Sequence, residues 1–173
     1  MTTVRKSRLS PRVAALVAAG ASAAAIMGAF LDEKEGSALR SYQDGVKVWT
    51  VCRGITRVNG TPVKPGMTFS TKECEEFDKT ELFKSLDELD NMVKVPLSQP
   101  ARAGISSFCT YNIGATKCAK STFLRKLNAG DRVGACNEIP KWIFDGGKDC
   151  RIRSNNCFGQ VERREQEKEL CLM

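Results

Sequence analysis

Eight cysteines and no histidine constrain this chain of 173 residues more than any other feature. The cysteines are Cys52, Cys74, Cys109, Cys118, Cys136, Cys150, Cys157 and Cys171. None forms a C-x-x-C pair, and zinc sites built from four cysteines usually draw on such close pairs, so a metal reading is poor. The even count points to a disulfide framework and an oxidising compartment, with scattered buried thiols as the plain alternative. The absence of histidine excludes a Ser-His-Asp or Cys-His nucleophilic site within this chain.

An oxidising compartment requires export, and the N-terminus offers a route. Residues 1–12 carry Arg5, Lys6, Arg8 and Arg12 and no acid. The next nineteen residues, Val13 to Leu31, carry no charge. That length suits a membrane span, and the basic flank predicts a cytoplasmic N-terminus. The composition is weak for a permanent anchor: nine of the nineteen are alanine, and Gly20, Ser22 and Gly28 are small or polar. Val13, Leu16, Val17, Ile26, Phe30 and Leu31 together supply only about −2 to −4 kcal/mol of insertion free energy. Three readings stand: a cleaved signal peptide with A-x-A-like steps such as Ala21-Ser22-Ala23, a retained weak anchor, or a buried Ala-rich core helix. Outside a bilayer the segment is expected to pack on the domain as a helix, because a free apolar run would aggregate.

Apolar residues make up 42% of the chain, enough for a core, and the length fits one domain with at most an appendage. The net charge of +7 suits an anionic partner such as a cell wall, lipid or nucleic acid. Aromatic content of 7% and the lack of a zinc-finger, ribonucleoprotein or phosphate-cradle motif argue against nucleic acid. The chemistry concentrates directly after the apolar run. Glu35 is followed after eight residues by Asp44, and after five more by Thr50. Two carboxylates flanking a bond, with a hydroxyl able to hold a water, form the minimum apparatus for glycoside hydrolysis. Taken singly, each has a plainer use: an exposed glutamate, a turn aspartate before Gly45, and a strand threonine.

The coarse pattern is α+β and mostly helical. Val46 to Thr56 reads as a small irregular antiparallel sheet, with turns at Asn59-Gly60 and Pro65-Gly66. Ser70-x-x-Glu73 is a capping box that opens a helix to about Leu89. Ser98 caps the next helix, with Pro100 in its first turn. A shorter helix spans Ser121 to Leu127, and Asp131 caps another that runs to Trp142. Gly146-Gly147 opens a loop to about Phe158, and a charged helix from Val161 to Leu170 closes the chain. Trp49 and Trp142 read as core.

Taken together, Glu35-x8-Asp44-x5-Thr50 with Tyr42, Trp49 and Gly54 resembles the phage lysozyme family, glycoside hydrolase family 24. The likeness continues in order through Val95-Pro96-Leu97-Ser98-Gln99, Tyr111-Asn112-Ile113-Gly114 and Ser121 to Asn128. It then runs through Gly134-Ala135-Cys136, Trp142, Gly146-Gly147, and Arg163-Arg164 with Glu169. The weakly apolar N-terminus is similar to that of the signal-arrest-release endolysins of that family. One departure is visible. Cys52 and Ile55 stand where the family often has glycine and histidine, which puts the contribution of that histidine in question and leaves the three site residues intact.

The resemblance implies a mostly helical, two-lobed lysozyme-like fold with a small antiparallel sheet and an N-terminal weakly hydrophobic helix. Residues 1–32 would form the basic N-terminus and arrest-release segment, and 33–173 the catalytic domain. Glu35 would be the general acid, Asp44 would orient or deprotonate the attacking water, Thr50 would hold it, and the reaction would invert the anomeric centre. Asn112 would line the sugar site, and Arg163 or Arg164 would balance the charge of Glu35. The disulfides implied are Cys52–Cys74, Cys109–Cys118, Cys136–Cys171 and Cys150–Cys157. The implied activity is cleavage of the β-1,4 bond between N-acetylmuramic acid and N-acetylglucosamine in peptidoglycan, with no cofactor or metal. The implied partners are peptidoglycan and the bacterial inner membrane through residues 13–31, with no nucleic acid and a monomeric enzyme released to the periplasm. The alternative from another class is a disulfide-stabilised secreted wall-binding or inhibitor module whose carboxylates are incidental.

Overall fold

The uncharged run does not form one long helix. In the computed structural model, which describes residues 7–34, 36–44 and 47–173, it folds into two. Helix α1 spans Pro11–Ala18 and helix α2 spans Ala23–Lys34. Ser10 caps α1 by accepting the amide of Val13, and Pro11 occupies the first turn, where its missing N–H costs nothing. Gly20 adopts φ +67° between the helices, a conformation that side chains disfavour. The segment therefore packs on the domain as expected outside a bilayer, but as a helical pair. Val13, Ile26, Met27 and Phe30 share a core with Leu82, Leu86, Ala103 and Leu170. Among the described residues no helix is long and apolar enough to cross a membrane.

The sheet lobe follows. Strand β1, Ala38–Gln43, pairs antiparallel with β2, Trp49–Cys52, placing Tyr42 opposite Thr50 and Gln43 opposite Trp49. Strands β3, Arg57–Val58, and β4, Thr61–Pro62, form a second hairpin around Asn59-Gly60, both at positive φ as a two-residue hairpin turn requires. Val51, Cys52, Ile55, Val63 and Cys74 make the core of this lobe.

Helix α3, Thr71–Met92, joins the parts. Ser70 and Glu73 complete the capping box in both directions. At 1.5 Å per residue the helix is about 33 Å long. It contributes Cys74 to the sheet-lobe core, Leu82 and Leu86 to the core with α2, and Leu89 to the helical-lobe core.

The helical lobe begins with α4, Gln99–Ser106, which widens into a π-helical segment at Ser107–Asn112. Helices α5, Ala115–Ala119, and α6, Thr122–Asn128, come next. The helix expected from Asp131 to Trp142 is shorter: α7 covers Arg132–Cys136, and a 3₁₀ turn takes Ile139–Lys141. Pro140 is the reason, because it lacks an N–H and its ring would strike the carbonyl of Cys136 in a continuous helix. Gly146-Gly147, read from sequence as opening a loop, instead forms the tip of a hairpin of β5, Phe144–Asp145, and β6, Lys148–Asp149. Helix α8, Gly159–Cys171, packs its buried face along α4. Phe108 lies edge-on to Phe123 at 5.1 Å and to Trp142 at 5.8 Å in the centre of this lobe.

All eight cysteines are paired, as Cys52–Cys74, Cys109–Cys118, Cys136–Cys171 and Cys150–Cys157. The first fastens β2 to α3. The third joins α7 to the end of α8. The fourth closes the loop after β6, where the apolar surface is sparse.

Candidate active site

Asp44 is fixed by the turn that follows β1. Its Oδ1 accepts the amide of Val48 at 2.8 Å, its own amide donates to the Val48 carbonyl at 3.0 Å, and its carbonyl accepts from Lys47 at 3.0 Å. A short carboxylate that bonds its own turn is an Asx arrangement, which sets the side-chain direction without help from distant residues. Asp44 is half-buried. It lines a cleft of about 470 Å³ whose other walls come from residues 53–57, from α3 through Glu81, Lys84 and Glu88, and from Thr110 to Asn112.

Thr50 sits at 2% exposure in β2, and its hydroxyl donates to the Val48 carbonyl at 3.0 Å. Asp44 and Thr50 are thus both anchored to Val48 and share its carbonyl oxygen as acceptor. With its proton committed, the Thr50 oxygen keeps lone pairs that can only accept. The described cleft wall does not include Thr50. Glu35 lies outside the described residues. The residues just before it, Glu33 and Lys34, line a second cavity of about 490 Å³ together with Asn112, Glu162 and Arg163.

Asn112 is common to both cavities. The π-helical segment that presents it is pinned from two sides. The Thr110 hydroxyl donates to the Ser85 carbonyl at 2.7 Å, and the Tyr111 hydroxyl donates to the Arg53 carbonyl at 3.2 Å. Behind Asn112 lies a buried ionic cluster. Arg164 donates to the side-chain oxygen of Asn112, to the Trp142 carbonyl at 2.9 Å and to Glu167. Arg163 meets Glu167 at 3.0 Å, and Ser107 donates to the same carboxylate at 2.7 Å. Glu167 is fully buried, with Arg163 at 5% and Arg164 at 2% exposure. Two guanidinium groups on one carboxylate leave one positive charge in excess, which favours the ionised form of any acid close by.

The structure therefore separates the two arginines. Arg164 holds Asn112, whereas Arg163 reaches the cavity that the residues before Glu35 also line. Among the described residues no group of histidines, cysteines and acids is placed to hold a metal ion. The sequence reading did not single out Arg53. Its guanidinium lies 2.6 Å from Asp32 at the end of α2, and the same side chain borders the cleft. Its place three residues after Thr50, beside Cys52, was the available signal.

Comparison with known proteins puts this geometry in context. The Phage lysozyme family model matches residues 32–167. A SAR-endolysin of Escherichia phage 933W is 57% identical over 162 residues, covering 94% of this chain and 92% of the relative. A probable prophage lysozyme of Escherichia coli strain K12 is 54% identical over 170 residues, covering 98% and 96%. The solved endolysin from an Escherichia coli O157:H7 phage, FAHEc1, superposes with a TM-score of 0.70 at 31% identity, covering 84% of this chain and 89% of that one.

Proposed function

The chain belongs to the phage lysozyme family, and from that premise we propose that Glu35, Asp44 and Thr50 carry the hydrolysis. The protein is a lysozyme-type glycosidase, a muramidase endolysin, and the rival reading of a non-catalytic wall-binding or inhibitor module gives way to it. Its substrate is peptidoglycan, cut at the β-1,4 bond between N-acetylmuramic acid and N-acetylglucosamine.

In this reading Glu35 gives its proton to the glycosidic oxygen as the bond to C1 breaks. Asp44 takes a proton from a water that attacks C1 from the opposite face, and Thr50 accepts a hydrogen bond from that water. The product has inverted configuration, and through solvent Asp44 releases the proton it took while Glu35 regains one. Arg163 lines the second cavity with Glu33 and Lys34, the two residues before Glu35, and would balance the charge of the proton donor. Asn112 binds an acetamido or hydroxyl group of the sugar. The observation that carries the reading is the placement of Asp44 by its own turn on the wall of the inter-lobe cleft, which Asn112 also lines.

Residues 13–31 would first act as a weak, uncleaved inner-membrane span with the catalytic domain, residues 33–173, facing the periplasm. Depolarisation would release it, and the released monomer would hold the segment as α1 and α2. The apolar core shared by α2, α3 and α8 supports this, because the extracted segment has a place to bury its surface.

The decisive test is muralytic assay of Glu35→Gln and Asp44→Asn on purified peptidoglycan. Loss of about 10³-fold or more in each is expected, a size typical for removal of an acid–base group together with its charge. Wild-type lysis by Glu35→Gln would end the assignment. Mass measurement of the periplasmic protein tests the topology, since a product beginning after the Ala-rich run would rule out a retained span.

A further inference from the structure

We propose that Arg53 is a positioning residue for the hydrolysis: it locks the last turn of α2, which leads into Glu35, to the strand that carries Thr50. This rests on the assignment of Glu35 as proton donor.

Arg53 collects contacts from three parts of the fold. Its Nη1 lies 2.6 Å from Asp32 Oδ1 on α2, and its Nε lies 3.4 Å from Asp78 Oδ2 on α3. Its backbone amide donates to Asp78 Oδ1 at 3.4 Å, and its carbonyl accepts from the Tyr111 hydroxyl at 3.2 Å. Asp32 also receives Arg12 of α1 at 3.1 Å. The chain α1–Asp32–Arg53–Asp78 therefore ties both N-terminal helices to the rest of the domain at the point where the chain enters the active site.

The backbone gives the guanidinium a fixed origin. Arg53 follows Cys52, a non-glycine residue at φ +54°, and precedes Gly54 at φ +86°. A left-handed cysteine persists only where its surroundings hold it, and here the Cys52–Cys74 disulfide does so. The side chains of Arg53, Asp32 and Asp78 are 24%, 31% and 9% exposed, so the pairing is partly shielded from water and stronger than a surface ion pair.

At its other end α2 is tied by the Ala23 amide, which donates to the Gln99 side-chain oxygen at 2.8 Å. Between the two ends its buried residues Ile26, Met27, Ala29, Phe30 and Leu31 are apolar, and such a surface sets burial well but the shift of the helix along its axis less well. Asp32 stands three residues before Glu35. An error of about 1 Å in the position of a catalytic group costs on the order of 100-fold in rate. The directional charged contact at Asp32 fixes register at the end of the helix that adjoins Glu35.

The test uses the purified full chain and compares Arg53→Gln, Arg53→Lys, Asp32→Asn and the double variant Asp32→Asn/Arg53→Gln, with Glu35→Gln alongside. The readouts are kcat, KM, the pH–rate profile and the thermal midpoint. For Arg53→Gln, kcat should fall about 10-fold to 100-fold, with KM within about twofold and a displaced limb of the pH profile. Arg53→Lys should recover part of kcat, and the double variant should be no slower than Arg53→Gln. If Arg53→Gln does not fold, Asp32→Asn carries the test. A folded variant with wild-type kcat, or a loss confined to KM, overturns the proposal when Glu35→Gln is inactive. An active Glu35→Gln overturns the site assignment first, and the two failures are distinct.

Discussion

Arg164 donates to the side-chain oxygen of Asn112. A guanidinium has no acceptor, so the amide oxygen must face it, and the Asn112 NH₂ group is turned the other way. The residue that borders both cavities is thereby a donor to whatever occupies them, which suits the carbonyl of an acetamido group. Asn112→Ala should raise KM for peptidoglycan about threefold to tenfold, the range of one neutral hydrogen bond, with kcat changed less. Steady-state kinetics on purified sacculi check this, and an unchanged KM would remove Asn112 from the binding site.

Helices α4 and α8 touch at Gly104. A Cβ there would stand 2.5 Å from Leu170 Cβ and 2.9 Å from the Glu167 carbonyl oxygen. Both obstacles belong to a packed helix, not to a flexible side-chain tip. Gly104→Ala should therefore destabilise by about 1–3 kcal/mol despite the better helix propensity of alanine. For a chain of this size that is a fall in Tm of about 2–4 °C per kcal/mol. Because α8 carries Arg163, Arg164 and Glu167, activity should fall with it. A Tm at or above the wild-type value would show that the helices separate without cost.

Local signals were legible in the sequence where one residue's chemistry decides the outcome. Ser70 and Glu73 announce α3, Ser98 with Pro100 announces α4, and Asn59-Gly60 announces a hairpin. Pro140 was equally local, and reading it as a breaker would have stopped that helix by Ile139, short of Trp142. Strand β1 was less accessible: Ala38 to Gln43 has no clean alternation, and its identity comes from pairing with β2. The π-helical turn at Ser107–Asn112 carries no pattern, because it is a shift of backbone hydrogen bonds within an apolar helix. In the site, the spacing of Glu35, Asp44 and Thr50 is a property of one stretch and was visible at once. The role of Arg53 was not, since its partners Asp32 and Asp78 come from other elements and meet it only in the folded chain.

Glu138 gives the helical lobe a pH-dependent contact. Lys126 at 2.6 Å and Lys141 at 2.8 Å hold its carboxyl below the ordinary value of 4.5, with hydrogen bonding to Lys126 as the largest cause. A carboxylate depressed on folding stabilises the protein above its unfolded pKa, and that stabilisation disappears as pH falls through the folded value. The lysine side chains are 36% and 67% exposed, so the contribution is below about 1 kcal/mol. Glu138→Gln should lower the thermal midpoint slightly at pH 7, and the gap from wild type should close as the pH is brought below 4.5. A gap that is constant with pH would mean that Glu138 acts through packing alone.

The break between α1 and α2 is the feature on which membrane release would turn. Gly20 holds φ +67°, and the Ser22 hydroxyl accepts the amide of Ala25 at 3.3 Å as α2 begins. Leucine at position 20 would be strained in that conformation, and leucine at position 22 would remove the cap. Both changes would also make residues 13–31 more apolar, by roughly 0.5 kcal/mol or more per site on the insertion scale. The double substitution Gly20→Leu with Ser22→Leu therefore disfavours the folded pair of helices and favours a continuous span. It should remain in the membrane fraction after depolarisation, and lysis should be delayed or absent. Fractionation of cells before and after collapse of the membrane potential reads the partition directly. If this variant appears in the periplasm on the wild-type schedule, the weakness of the span is not what permits release.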